Sequence, residues 1–498
     1  MAGRASASTC CWSPPTARCA ASPMPSGRAT PDAGGRQSWR MALGMSPVDR
    51  PGTGREASRK HNRGRKPAML ARRAALTLAA GAAAAPLLRP APARADAGAL
   101  PRAARPEDAG FQRDRLARIT GWLGAEVEAG RIPGAVVAVG RGGKLALHEA
   151  VGFRDRDARA PMPVDGIFRI ASMTKPFASL ALMLLAEEGR VMLWHPVSRY
   201  LPEFKDQKVG TDRAPLEREA TLQDLLRHTA GLTYGALPGP GPAPHPVQAG
   251  YVQARVADRD QTAAEFITRL AGQPLMFQPG STWEYSHATD VVGRVVEVVS
   301  GQDLDAFIRA RISAPLGLAD TGFWAPQDAA GRAARAQVDP VTKARQPIPD
   351  VLEKPRWFSG GGGMVSTAMD YARFCQMLLN GGRLGEAQVA SRATIQLMTA
   401  NHLPEGTQYG PGLLTRFGGL APAPVTGYGF GLGFAVRTAQ GRSPVPGNVG
   451  DYFWGGAYGT YFWVDPKEEL YAVLMLQGPS DRIQYRYGLR QLVYQALA

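Results

Sequence analysis

Apolar residues recur at helical spacing through the segment 107–131, where Leu116, Ile119, Trp122, Leu123 and Val127 would line one side of an amphipathic helix. A second apolar-rich helix is predicted over 173–188, stopped at Gly189, and a third over 289–300, ending at Gly301. Ala368–Leu379 reads as another helix, closed by Gly381-Gly382, and Leu489, Leu492, Val493 and Leu497 mark one at the C-terminus. Short apolar segments have a different look. Ala135–Val139 and Leu145–Val151 flank Arg141-Gly142-Gly143, a hairpin signal. Tyr461–Val464 and Leu470–Leu476 are strands joined by the turn Asp465-Pro466-Lys467-Glu468. The Pro/Gly-rich stretch Gly235 to Pro246 breaks the pattern and is expected to be a loop or lid. Gly360 to Gly363 reads as a hinge or turn. Strands near both ends with helices between them predict an α+β chain. One antiparallel sheet would be built from both termini, flanked by helices, with a mostly helical subdomain inserted.

Charge sharpens the domain picture. The 498 residues carry a net charge of +16, which suggests a nucleic-acid binder until it is located. Residues 1–95 hold 16 Lys/Arg against 3 Asp/Glu, and the remainder holds 42 against 39. The basic excess therefore belongs to the leader, and the body has no single-sign field to draw in a phosphate polymer. Residues 1–68 lack apolar periodicity and read as a disordered leader or an over-extended gene model. Residues 69–95 have the order of a signal peptide: Arg72-Arg73, an Ala/Leu-rich run from Ala74 to Leu88, and Ala93-Arg94-Ala95 as a small-x-small cleavage site. The paired arginines suggest twin-arginine export, so the body, 96–498, is expected to be periplasmic or secreted. The apolar run is too short to span a membrane. Cys375 is the only cysteine of the body, so the core must hold by packing without an internal disulfide.

The strongest local chemistry is Ser172-Met173-Thr174-Lys175. Positions i and i+3 share a helix face, so the hydroxyl and the amine become neighbours. A serine hydroxyl is a poor nucleophile until a base takes its proton, and lysine can be that base where arginine cannot. Of the seven lysines in the body, only Lys175 has a serine three residues earlier. Pro176 belongs in a first turn, so the helix should begin close to Ser172, at the positive end of its dipole. Other chemistries find little support. There is no G-x-S-x-G elbow and no G-x-x-x-x-G-K-[ST] loop, and the histidines show no metal-ligand spacing, so neither a metal nor a cofactor is expected. His228 reads as a structural hydrogen-bonder.

Two later motifs complete a pattern: Tyr285-Ser286-His287, and Trp454-Gly455-Gly456 directly before the Tyr461–Val464 strand. In that order the three motifs resemble the serine β-lactamase and penicillin-binding-protein family, in particular class C β-lactamases, DD-peptidases and esterases built on their fold. Leu225-Leu226-Arg227-His228-Thr229-Ala230-Gly231-Leu232, Val296–Gly301 and Gly427-Tyr428-Gly429-Phe430-Gly431-Leu432-Gly433 are similar to the same family, so the resemblance runs from about residue 105 to 495. It implies a β-lactamase/transpeptidase-like fold and a serine hydrolase. Ser172 would form an acyl-enzyme, with Lys175 and Tyr285 handling protons; which of the two is the base stays open. The oxyanion hole would be the backbone N–H groups of Ser172 and Ala457. Trp454, Gly455, Gly456 and His287 would bind substrate, the glycines letting the strand come close.

The chain departs from the lactamase pattern at two of these positions. Trp454 stands where a lysine helps to hold a substrate carboxylate, and His287 where an asparagine contacts a substrate amide. Both changes favour small neutral or apolar esters over β-lactams or D-peptides, and the Trp-Gly-Gly form resembles the esterase branch. The expected partner is a small-molecule ester or amide, with lactam or D-peptide hydrolysis and acyl transfer as alternatives. A binder that keeps the fold without turnover is the competing class. The intact Ser172, Lys175 and Tyr285 argue against it.

Overall fold

Strands from the two ends of the body pair with each other. A computed structural model describes residues 100–235 and 244–498, so the expectations for 1–68 and 69–95 and most of the Gly235–Pro246 stretch lie outside the described residues. The strands of the main sheet are β1 (Gly134–Arg141), β2 (Lys144–Asp155), β3 (Ala160–Pro161), β4 (Tyr428–Phe430), β5 (Ala435–Arg437), β6 (Tyr452–Gly455), β7 (Tyr461–Asp465) and β8 (Leu470–Leu476). Their order is β4-β5-β6-β7-β8-β1-β2-β3, antiparallel throughout, and β1 joins the two halves by pairing with β8, Ala135 opposite Leu476 and Arg141 opposite Leu470. β8 is buried along its whole length and β1 along all but its last residue, which places them at the centre of the sheet.

Five helices matter for the site: α1 (Arg118–Glu128), α2 (Lys175–Glu187), α3 (Ala288–Ser300), α4 (Ala368–Leu379) and α5 (Arg482–Tyr494). α4 packs on β1, β7 and β8, α1 packs on β1 and β2, and α5 lies against α1. α2 is buried at all but its last positions and packs on α3 in the helical region between the two sheet halves. Cys375, on α4, is a buried free thiol.

The differences from the sequence pattern have local causes. The segment 107–131 is not one helix: a short 3-10 turn, Pro106–Ala109, ends at Gly110 with φ 72°, and Phe111 bridges to Leu497 before the helices Arg113–Leu116 and α1. Long-range pairing with the C-terminal end interrupts the periodicity, and for the same reason Leu497 lies beyond α5. Pro246 opens a helix, Pro246–Gln253, with His245 as its cap. Gly360 to Gly363 is a turn packed against α3 rather than a hinge. A Cβ on Gly360 would sit 2.6 Å from the Thr289 carbonyl oxygen, and one on Gly361 2.6 Å from Asp290 Oδ2.

Candidate active site

Ser172 lies in a 3-10 turn, Ala171–Thr174, that runs into α2, with Pro176 in the first turn of the helix. Ala171 has φ 44°, a left-handed conformation that costs an alanine about 1 kcal/mol or more and bends the chain sharply just before Ser172. Within this turn Ser172 alone retains solvent access; Ala171, Met173, Thr174 and Lys175 are buried. The preceding Arg169 is buried and donates to the carbonyls of Phe323 and Gly363, at 3.0 and 2.9 Å, and to that of Asp350, drawing three loops around the turn. Burial lowers this guanidinium to about 10.

The Lys175 side chain is 0 % exposed, and its amine has three polar neighbours. Nζ lies 3.4 Å from Ser172 Oγ, 3.0 Å from Tyr234 Oη and 2.7 Å from the Gly361 carbonyl oxygen. The carbonyl can only accept, so it takes one N–H in every state of the amine. A neutral amine would give its second N–H to Tyr234 and turn its lone pair to the Ser172 hydroxyl, the geometry for taking that proton. Among the described residues no carboxylate pairs with Lys175. Behind it, Asp290 fixes the Gly361 peptide: Oδ1 accepts the Gly361 N–H at 2.9 Å and the Ser359 hydroxyl, and Oδ2 meets His287 Nδ1 at 2.9 Å. Burial raises the Asp290 carboxyl, but the His287 ring, the Lys175 charge and the Ser359 hydroxyl outweigh it and hold the group below its ordinary value.

The sequence reading missed Tyr234. It stands two residues after Leu232, the end of a segment that already resembled the family. It sits on a loop, however, and not on a periodic element, and its partner comes from another segment. Burial, with Tyr285 and Asp290 nearby, pushes its phenol well above the ordinary value, so it remains protonated and serves Lys175 as a hydrogen-bond partner rather than as a base.

Tyr285 stands beside Tyr234, with ring centroids 5.3 Å apart, and Lys175 Nζ lies 4.6 Å from the Tyr285 ring centroid. Its hydroxyl accepts the Trp454 indole N–H at 3.3 Å. Trp454 is 1 % exposed and packs with Phe417 and Phe430, so its N–H and its faces are used within the wall behind Tyr285. His287 is buried as well, against Tyr234 and Phe266. His228 holds the far side of Tyr285, with ring centroids 5.0 Å apart and Nδ1 3.2 Å from Ser286 Oγ. Burial and the Lys175 charge push it well below its ordinary value, so it is a neutral ring.

The glycine pair allows two close approaches. A Cβ on Gly456 would lie 2.5 Å from the Ile170 carbonyl oxygen, and one on Gly455 2.7 Å from the Arg486 guanidinium. Thr460 Oγ1 donates to the same Ile170 carbonyl at 3.1 Å, and Arg486 donates to the Gly456 carbonyl at 2.8 Å. These contacts clamp the end of β6 onto Ile170 and bring the Gly456–Ala457 peptide to the start of the Ser172 turn. Among the described residues neither the Ser172 nor the Ala457 N–H donates to a protein acceptor, and Ala457 is exposed. Two free N–H groups beside an accessible hydroxyl and a buried amine form the outline of an acyl-transfer site.

Residues 119–495 match the β-lactamase family model, which covers most of the chain. The chain belongs to the β-lactamase family. Within this β-lactamase-family protein the similarity is spread over nearly the whole body. It is 35 % identical over 368 residues to Protein Rv1367c of Mycobacterium tuberculosis, covering 71 % of this chain and 88 % of that protein. It is 34 % identical over 390 residues to Esterase EstB of Burkholderia gladioli, covering 73 % and 91 %. Among solved structures, EstCE1, a hydrolase with promiscuous acyltransferase activity, superposes with a TM-score of 0.64 at 28 % identity, covering 76 % of this chain and 99 % of that one. The chain is a serine hydrolase of the β-lactamase fold, an antiparallel sheet with helices, and an acyl-enzyme mechanism is typical of the family.

Proposed function

We propose that the body is a carboxylesterase acting on small neutral or apolar esters. The observation that carries this reading is the buried Trp454, whose N–H is taken by Tyr285 at the strand position where the lactamase pattern has a carboxylate-holding lysine. Similarity to Esterase EstB supports it. Ser172 Oγ attacks the ester carbonyl while Lys175 accepts its proton, and the Ser172 and Ala457 N–H groups hold the developing oxyanion. Tyr285, beside the amine, gives its hydroxyl proton to the departing alkoxide and regains one from Lys175, and water then hydrolyses the acyl-enzyme. A short-chain aryl ester and a chromogenic cephalosporin, offered side by side, test the reading. Fast ester turnover that vanishes in Ser172→Ala is expected; dominant lactam turnover would replace the esterase by a lactamase, and activity surviving in Ser172→Ala would sink the nucleophile.

A second reading, acyl transfer to an acceptor other than water, draws on the promiscuous acyltransferase activity of EstCE1. An added alcohol should then divert part of the acyl group into a new ester. For the leader, we propose export with cleavage after Ala95, supported by Arg72-Arg73 and Ala93-Arg94-Ala95. N-terminal sequencing of exported protein is expected to start at Asp96; a distant mature end would refute it.

A further inference from the structure

Glu284 precedes Tyr285 in the chain, and its side chain is only 4 % exposed. Its Oε1 lies 3.0 Å from Thr233 Oγ1. The same hydroxyl lies 2.9 Å from the Tyr234 carbonyl oxygen and 3.1 Å from Gln248 Nε2. The Gln248 amide is oriented by its other end, because Oε1 accepts the His245 N–H at 3.0 Å. Nε2 is therefore the end that donates to Thr233.

Counting donors decides the state of this group. A threonine hydroxyl has one hydrogen to give and two lone pairs to receive. The Tyr234 carbonyl can only accept, and Gln248 Nε2 can only donate. All three contacts are satisfied together only when Glu284 carries a proton and gives it to Thr233 Oγ1. The Thr233 hydrogen is then left for the Tyr234 carbonyl. An ionised Glu284 is the stronger acceptor and takes the Thr233 hydrogen. The Tyr234 carbonyl then loses the one hydrogen bond it receives among the described residues.

We propose that Glu284 is a positioning residue for Tyr234: its protonated carboxyl acts through Thr233 to hold Tyr234 against Lys175, and its ionisation weakens that hold. Few groups oppose the proton. Thr233 and Gln248 face the carboxyl from one side, and Gly410 presses on it so closely that a Cβ there would overlap Oε2. Among the described residues, the charge that acts on it is that of Arg416. Burial pushes the carboxyl up to about 7, against the Arg416 charge and against the hydrogen bond that Thr233 would donate to the ionised form. The proton is thus held in mildly acidic solution and lost as pH rises through neutrality.

The inference rests on the function proposed above only in taking Ser172 and Lys175 as the reacting pair. It is tested by the rate at which a fluorophosphonate labels Ser172, a readout that needs the nucleophile and its base but no ester turnover. Glu284→Gln keeps a permanent donor toward Thr233. The ratio of wild-type to Glu284→Gln labelling rates is expected to fall about tenfold between pH 6 and pH 9. A merely structural role would scale the two rates alike, so a ratio flat in pH overturns the proposal. Infrared spectroscopy of the intact protein should show a protonated carboxyl band at pH 6 that fades by pH 9 and is missing in Glu284→Gln; no such band at pH 6 also overturns it. Where Glu284→Gln does not fold, Thr233→Val removes the acceptor. The band should then shift to higher frequency, and an unmoved band refutes the relay. Absence of labelling at every pH would sink the nucleophile itself, a failure separable from the infrared result.

Discussion

Lys175 has three polar partners of unequal standing, and substitutions can tell them apart. The Gly361 carbonyl is a permanent anchor, Ser172 is the group that the proposed reaction deprotonates, and Tyr234 fills the third direction. Tyr234→Phe removes one partner without opening a cavity. Ser172 labelling is expected to slow about tenfold, the size of one lost hydrogen bond to a charged or reacting group, while the melting temperature changes little. A rate equal to wild type would show that Tyr234 does not orient the amine. Asp290 acts one step further back, because it fixes the peptide whose carbonyl anchors the lysine. Asp290→Ala leaves the Gly361 N–H, the Ser359 hydroxyl and the His287 ring without their acceptor. Denaturant melts should show a loss of about 3 kcal/mol. The sign with pH follows from the lowered carboxyl: Asp290 contributes stability above its unfolded-state value, and the contribution disappears as pH falls through the folded one.

At the scale of elements, the short helix Leu222–Leu226 shows how a cap places a site residue. Thr221 caps it, and the Asp224 carboxylate collects the Thr221 N–H and hydroxyl, the Thr229 hydroxyl, and the guanidinium groups of Arg218 and Arg227. The chain leaves this knot through His228, at φ 60°, and so delivers the ring that backs Tyr285. Burial raises the Asp224 carboxyl, but its partners outweigh it and hold it at about 2. A depressed carboxylate stabilises the fold above its unfolded value and loses that contribution as pH falls toward its folded one; here the amount is about 2 kcal/mol. Asp224→Asn should therefore melt lower than wild type at pH 6 and approach it near pH 2. A constant gap between the two would refute the assignment. Elements of this scale were the most legible from sequence. α4 and β8 run as predicted, and α3 begins one residue earlier, because each carries a long apolar pattern closed by glycine or a turn. β4 and β5 went unseen as strands: each is three residues long and sits among glycines, too short to alternate. The Ser172–Lys175 motif and both later motifs are legible because each is a short local run of residues. Tyr234, Asp290 and Glu284 were not, because each acts through a partner from another segment.

At the scale of the whole molecule, the sheet needs both ends of the body, and so does the oxyanion site. β6 is held from beneath by α5. Asp451 is buried between Arg437 and Arg490, at 2.8 and 3.0 Å, and Arg490 also donates to Tyr461 at 2.7 Å. One turn earlier on α5, Arg486 donates to the Gly456 carbonyl, one residue before Ala457. Substitutions at Asp451 and at Arg486 should behave differently. Asp451→Ala strands two buried cations and is expected to cost about 3–5 kcal/mol, the range for breaking a buried ion pair from one side. Arg486 has no carboxylate partner among the described residues, so Arg486→Leu removes a donor without stranding a charge. Its effect should fall on chemistry: the Gly456–Ala457 peptide loses its hold, the Ala457 N–H drifts from the oxyanion, and kcat on an aryl ester drops about tenfold while KM stays within about a factor of two. That split separates the two accounts. A larger fall in KM-dependent binding than in kcat would place Arg486 on the substrate, and a fall in melting temperature with kcat intact would leave it a packing residue of α5. A kcat loss with KM preserved is what a clamp on the oxyanion peptide requires, since the ground-state ester makes little use of an N–H that matters most once charge develops on its oxygen.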